Sequence, residues 1–129
     1  MVWYLDTSAF LKLIVVEPES MAMRAWFGGH GPVWSSQLLR TEALRAARRL
    51  GIDREVVDDA LGTVSLVLPA ASTFLIAGRL EPPMLRSLDA VHLATAGELG
   101  DDLEGLVTYD DRMVQAATAA SMTVIAPTM

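Results

Sequence analysis

Residues 2–13 read VWYLDTSAFLKL: a four-residue apolar run, one acid, two hydroxyl residues, then an apolar segment of helical character. Val2–Leu5 reads as a strand and Ser8–Val16 as a helix. Asp6 sits at the junction and is open to two readings. Its carboxylate can cap the helix by accepting from backbone N–H groups of the next turn. It can instead hold a metal ion at the end of a strand.

Outward from this unit the chain alternates short strands with longer helices. Pro18–Phe27 reads as a helix with Pro at its start and Gly28–Gly29 ending it. Val33–Ser36 is a strand, Gln37–Leu50 a helix closed by Gly51, and Asp53 the N-cap of a further helix to Leu61. Val64–Leu68 reads as a strand, Ala70–Leu80 as a helix, 81–84 as a Pro-rich turn, and Leu88–Leu99 as a helix ended by Gly100. Leu106–Tyr109 is the next strand, Asp111–Ala120 a helix, and Thr123–Ala126 a last strand. This order implies right-handed crossovers and a mainly parallel sheet covered on both faces, an α/β fold in three layers. Neither an internal repeat nor a linker is visible, so residues 1–129 are expected to form a single domain.

Composition narrows the chemistry. The 129 residues suit one compact domain and include no cysteine, which excludes disulfides and thiolate metal sites. Any metal must be held by oxygen or imidazole, which favours hard cations such as Mg²⁺ or Mn²⁺. No apolar run approaches the ~18 residues of a membrane span. The N-terminal stretch shows no basic leader, so a cytoplasmic location is expected. Sixteen acids against ten bases give a net charge of −6, which by itself argues against nucleic-acid binding. Yet nine of the ten bases are Arg, and Arg40, Arg45, Arg48 and Arg49 fall within ten residues. They suit RNA phosphates, an acidic partner or a solvated helix face equally. Apolar residues make up 52% and mean hydropathy is +0.36, high enough to point to apolar surface reserved for partners.

The acids then matter by position. In an open parallel sheet, ligands collect at the carboxyl ends of the strands. Asp6 ends the first strand, and Asp110 and Asp111 end the strand in LVTYDDRMVQAA (106–117). Glu42 lies early in the helix of SSQLLRTEALRA (35–46), and Asp89 in LRSLDAVHLATA (85–96). Each has a plainer role. Asp6 and Asp110 or Asp111 can be helix caps, and Glu42 can pair with Arg45 at i+3. Asp89 can serve the N-terminal dipole of its helix, with Ser87 as cap. Asp89 is the hardest to dismiss, because its helix is apolar on nearly every side and a buried carboxylate is costly without compensation.

Taken together, these stretches resemble the PIN-domain nucleases, and within them the VapC toxins of bacterial toxin–antitoxin pairs. YLDTSAFLKL is similar to the first acidic motif of that family, SSQLLRTEALRA to the second, LRSLDAVHLATA to the third and LVTYDDRMVQAA to the fourth. In the last of these, Asp110 takes the T-x-D position and Arg112 follows it. The resemblance spans nearly the whole chain. It implies a PIN-like α/β/α sandwich with a central, mainly parallel sheet of four or five strands. It also implies a metal-dependent endoribonuclease in which Asp6, Glu42, Asp89 and Asp110 hold one or two Mg²⁺ or Mn²⁺ ions. Crowded carboxylates raise one another's pKa values, and a divalent cation relieves that repulsion. It would also lower the pKa of a water and stabilise charge on a phosphate. Thr7, Ser8 and Thr108 are expected as outer donors or turn and cap residues. Asp111 is an outer residue, a cap or a substitute for Asp110. The implied partners are an RNA substrate (tRNA or rRNA), a VapB-like antitoxin and a second copy of the chain in a homodimer. An antitoxin helix in a groove is expected to use Phe10, Leu13, Ile14, Met21, Met23 and Trp26. No membrane partner is expected.

Other readings of the same residues are weaker. His92, one turn after Asp89, is expected to be packed or to support an acid rather than act as base or ligand. Trp3, Trp26 and Trp34 are expected in core or interface. A metal-dependent phosphatase with an aspartyl nucleophile wants a second Asp where Ser8 stands. A phosphoacceptor domain needs a late lysine, and Lys12 is the only lysine. A non-catalytic interaction module, its acids serving as caps and ion pairs, is the remaining alternative.

Overall fold

The computed structural model describes residues 1–129. Five strands form one sheet: β1 (Val2–Leu5), β2 (Val33–Ser36), β3 (Ser65–Val67), β4 (Leu103–Val107) and β5 (Val124–Ile125). Their order is β3-β2-β1-β4-β5, and every pairing is parallel. Between the strands lie α1 (Thr7–Leu11), α2 (Ser20–Gly29), α3 (Leu38–Leu50), α4 (Arg54–Leu61), α5 (Ala71–Ala77), α6 (Ser87–Gly97) and α7 (Asp111–Ala119). β1 is central and β4 is its neighbour. The acid after β1 and the acids after β4 therefore emerge side by side, about a hundred residues apart in sequence.

The alternation of a strand puts successive side chains on opposite faces. Leu5 and Val107 join a core with Phe10, Met23, Leu39, Ala43 and Val57, from α1 to α4. Tyr4 and Leu106 join a second core with Leu93, Ala96, Met113 and Ala117, from α6 and α7. These two layers give the α/β/α sandwich. α3 ends at Gly51, whose left-handed φ of 70° allows its N–H to close on Ala47 O.

Most element boundaries differ from the sequence reading by one to three residues, and three of the differences have a plain physical reason. α1 stops at Leu11 rather than Val16, ahead of the branched run Ile14–Val16 and Pro18, which disfavour a further helical turn. α2 begins at Ser20, whose hydroxyl accepts from Glu17 N–H and donates to Val15 O. β4 covers Leu103–Val107, not Leu106–Tyr109. Beyond Thr108, the backbone leaves the ladder for side chains: Tyr109 N–H donates to Ser8 Oγ and Asp110 N–H to Thr108 Oγ1.

The expected partner surface on the first two helices is corrected as well. Phe10, Ile14 and Met23 are buried, and Leu13 and Trp26 pack against the core. Only Met21 of that group is freely exposed. The short helices lie flat on the sheet, and their large residues are needed to cover it. Exposed apolar side chains occur instead on α5, at Phe74, Leu75 and Ile76. No helix is long and apolar enough to cross a membrane.

Gly105 is the tightest point of the sheet. A Cβ there would stand 2.5 Å from the Trp3 ring and 2.8 Å from Thr123 O. That carbonyl accepts from Leu106 N–H and cannot retreat without opening the β4–β5 register. Gly105→Ala is expected to lower unfolding free energy by about 2 kcal/mol, as overpacking does. Denaturant titration checks this, and an unchanged midpoint would contradict it.

Candidate active site

Asp6 fulfils both of its sequence readings at once. It caps α1, its Oδ1 accepting from Ala9 N–H at 3.1 Å, and it sits at the end of the central strand, 3% exposed. Three hydroxyl and amide donors converge on it: Ser8 Oγ donates to Oδ1 at 2.6 Å and Thr108 Oγ1 to Oδ2 at 2.5 Å, beside the Ala9 amide. Burial pushes its carboxyl above the usual range, against the pull of these donors. The carboxyl is costly to bury as a charge, and its three donors partly offset that cost.

Glu42 enters from the second turn of α3. It does not pair with Arg45; two other side chains take its Oε1. Thr7 Oγ1 donates to it at 2.7 Å, and His92 Nε2 lies at the same distance. The carboxylate is an acceptor, so Nε2 is the donor. Nδ1 then accepts from Tyr4 O–H, 2.8 Å away. Burial raises the Tyr4 phenol far above its ordinary value, which keeps it a donor. The Tyr4–His92–Glu42 chain explains the fully buried His92: both ring nitrogens are engaged, and it supports an acid, as the sequence suggested. For Glu42, burial raises the pKa, but the hydrogen bond from His92, then that from Thr7 and the charge of Arg86, outweigh it and hold the carboxyl below the ordinary value. Both donors fall on Oε1, and Oε2 takes no hydrogen bond.

Asp89 lies in the first turn of α6, where the helix dipole favours it. Ser87 is not the cap; Arg86 occupies the N-cap position without capping through its side chain. Arg86 instead joins two acids. Its Nε donates to Asp89 Oδ2 at 2.9 Å and its Nη2 to Asp110 Oδ2 at 3.0 Å. Asp110 also caps α7, its Oδ1 accepting from Arg112 N–H at 2.9 Å. Asp111 is exposed at the start of α7, and Arg112 is exposed next to it. Arg86 was not singled out from sequence. Its signal was present, as a base three residues before Asp89 on a helix start, but its reach to Asp110 depends on the fold.

Contacts link all four acids. Asp6 bonds Thr108, which accepts from the Asp110 amide; Asp110 shares Arg86 with Asp89; and Glu42 and Asp89 line the same cavity of about 240 Å³ with Arg86, Ser87 and Leu88. The larger cavity, about 500 Å³ and lined by Phe74, Leu80, Leu85 and Val91 among others, contains none of these acids and is not the site of this chemistry. No three of the His, Asp and Glu side chains form a ready-made metal cage. The donor type nevertheless fits a hard divalent cation: the groups are carboxylate oxygens, and a guanidinium already bridges two of them as a positive centre. Arg40, Arg45, Arg48 and Arg49 are exposed along α3, the helix that carries Glu42.

The chain is similar to known proteins along nearly its whole length. The chain is 47% identical over 125 residues to Ribonuclease VapC46 of Mycobacterium tuberculosis, the match covering 96% of each protein. It is 41% identical over 135 residues to Ribonuclease VapC35 of the same species, again over 96% of each. The crystal structure of VapC20 from Mycobacterium tuberculosis, described as a Sarcin-Ricin loop cleaving toxin, superposes with a TM-score of 0.77. That likeness covers 97% of this chain and 99% of VapC20 at 18% identity, and it speaks for the fold. The PIN domain profile matches residues 3–119, nearly the whole sheet and its helices. With that match and a relative of nearly half-identical sequence along its full length, the chain belongs to the PIN-domain family.

Proposed function

We propose that this chain is the ribonuclease toxin of a toxin–antitoxin pair, an endoribonuclease whose centre is formed by Asp6, Glu42, Asp89 and Asp110. The observation that supports this most is that acids from four separate regions of the chain approach one strand end, in a protein 47% identical to a named ribonuclease. In this reading the four carboxylates hold a divalent cation, Mg²⁺ or Mn²⁺. When bound, such an ion supplies an acidified water and stabilises the charge that develops on the phosphate. The chain's own residues do the positioning. Ser8 and Thr108 fix the Asp6 carboxylate, and Thr7 and His92 fix one oxygen of Glu42. Such outer contacts orient ligands, and their loss costs on the order of 10–100-fold in metal affinity or activity. The exposed arginines of α3 offset the local acidity and suit a polyphosphate chain.

The substrate in this reading is tRNA or rRNA, the inhibitor a VapB-like antitoxin, and the assembled state a homodimer in the cytoplasm. The exposed Phe74, Leu75 and Ile76 of α5 support an apolar partner contact. Incubation of the purified chain with total RNA tests the activity. Fragments with defined ends, mapped by sequencing and suppressed by the product of an adjacent gene, are expected. Intact RNA with a folded protein in Mg²⁺ and Mn²⁺ would favour a binding module. Hydrolysis of p-nitrophenyl phosphate with RNA untouched would favour a phosphatase.

Within the site, Asp110→Asn is expected to reduce cleavage by at least about tenfold, and Asp111→Asn by less than about threefold. Asp110 faces Arg86 and the other acids, whereas Asp111 points to solvent. Steady-state cleavage rates of the two variants check the ranking, and the reverse order would exchange their roles.

A further inference from the structure

The member of this site that its acids do not explain is a cation. An N-cap is normally Ser, Thr, Asp or Asn. Arg86 holds that position at α6 and caps nothing with its side chain. Its planar fork engages acids from two different elements, Asp89 in α6 and Asp110 at the head of α7. We propose that Arg86 is a tethered counter-cation: it occupies the divalent ion's place between Asp89 and Asp110, and must release those oxygens before the ion binds, so that it sets the metal affinity of the chain. The proposal rests on the metal-centre reading given above.

Three observations carry it. Asp110 has both oxygens engaged, Oδ1 with the Arg112 amide and Oδ2 with Arg86. The amide belongs to the first turn of α7 and is fixed; the guanidinium is the partner that can leave. Next, the Arg86 side chain is 61% exposed while Asp89 and Asp110 are 15% and 25% exposed. The cation can therefore swing to water without disturbing any packing, and the acids cannot follow it. Last, Arg86 lines the same cavity as Glu42 and Asp89, yet no three acid or imidazole groups are assembled there as a cage. Lysine would not serve equally, because a single ammonium lacks the rigid fork that reaches two carboxylates.

The test is Mn²⁺ binding to the chelator-stripped full chain, measured by the paramagnetic resonance signal of free Mn²⁺. Arg86→Gln is expected to bind Mn²⁺ about fivefold more tightly than the wild type, the scale of two partly exposed ion pairs. Arg86→Lys is expected to fall between them. The rise in melting temperature on adding Mn²⁺ should follow the same order. Unchanged or weaker affinity in Arg86→Gln, with Mn²⁺ bound by the wild type, overturns the proposal and leaves the metal centre standing. No Mn²⁺ bound by either protein overturns the metal centre and the proposal together. Circular dichroism controls the fold, and should Arg86→Gln misfold, Arg86→Lys against wild type decides on the same terms.

Discussion

Asp89→Asn is expected to cut RNA cleavage by at least about a hundredfold while the protein folds and melts almost as the wild type does. Loss of an outer partner of a metal ligand costs on the order of 10–100-fold, so loss of the ligand's charge should cost more. The shape is conserved, because an amide replaces a carboxylate in the same volume. Stability is little affected because the ion pair removed, Arg86 with Asp89, has a partner that is 61% exposed. Such pairs contribute roughly 0–1 kcal/mol, and the neighbouring acids lose a repulsive charge at the same time. Glu42→Gln and Asp6→Asn are expected to behave alike in activity. Undiminished cleavage by a folded Asp89→Asn protein would take that residue out of the chemistry.

Removal of divalent metal should bring cleavage down to background, and Mg²⁺ or Mn²⁺ should restore it. The chain offers no substitute. His92 is fully buried with both ring nitrogens engaged, so it is not free to take a proton from water. Arg86 brings positive charge, but a guanidinium stays protonated and does not acidify a water as a divalent ion does. The acids left behind are a repelling group whose most buried member, Asp6, is pushed by burial toward its neutral form. Cleavage assays in excess chelator, followed by metal addition, check this; a rate indifferent to chelation would contradict it.

Much of the architecture is legible in the sequence because it rests on local rules. The apolar run Val2–Leu5 and the junction acid Asp6 predict a strand followed by a capped helix, and both are found. Asp53 caps α4 and Gly51 closes α3, as residue type and spacing indicate. The expected sheet of four or five strands has five, all parallel. What failed was what depends on the neighbours a side chain acquires. The sequence pattern starts β4 at Leu106, three residues late, because Leu-Glu-Gly does not look like a strand until Gly105 is seen under the Trp3 ring. Phe10, Met23 and Ile14 look like interface residues until the sheet needs them as cover.

The candidate site divides along the same line. Asp6, Glu42, Asp89 and Asp110 could be named from position, since strand ends and helix starts are local features. Their partners could not. That Glu42 bonds His92, fifty residues away, rather than Arg45 three residues away, follows from α3 and α6 approaching the same end of the sheet. That Asp110 shares a guanidinium with Asp89 follows from the order β1-β4 and the turn into α7. Sequence spacing gives the acids and tertiary geometry gives their hydrogen bonds.

The central claim is that these carboxylates act on RNA through a bound cation, and one measurement addresses both halves. Single-turnover cleavage of an RNA substrate is followed as Mg²⁺ is titrated into chelator-stripped wild-type protein and, in parallel, into Asp6→Asn. The account predicts a saturable rise in rate for the wild type and a flat line at background for the variant across the same range. Wild-type cleavage that proceeds before any metal is added, or an Asp6→Asn curve that overlays the wild type, would contradict it.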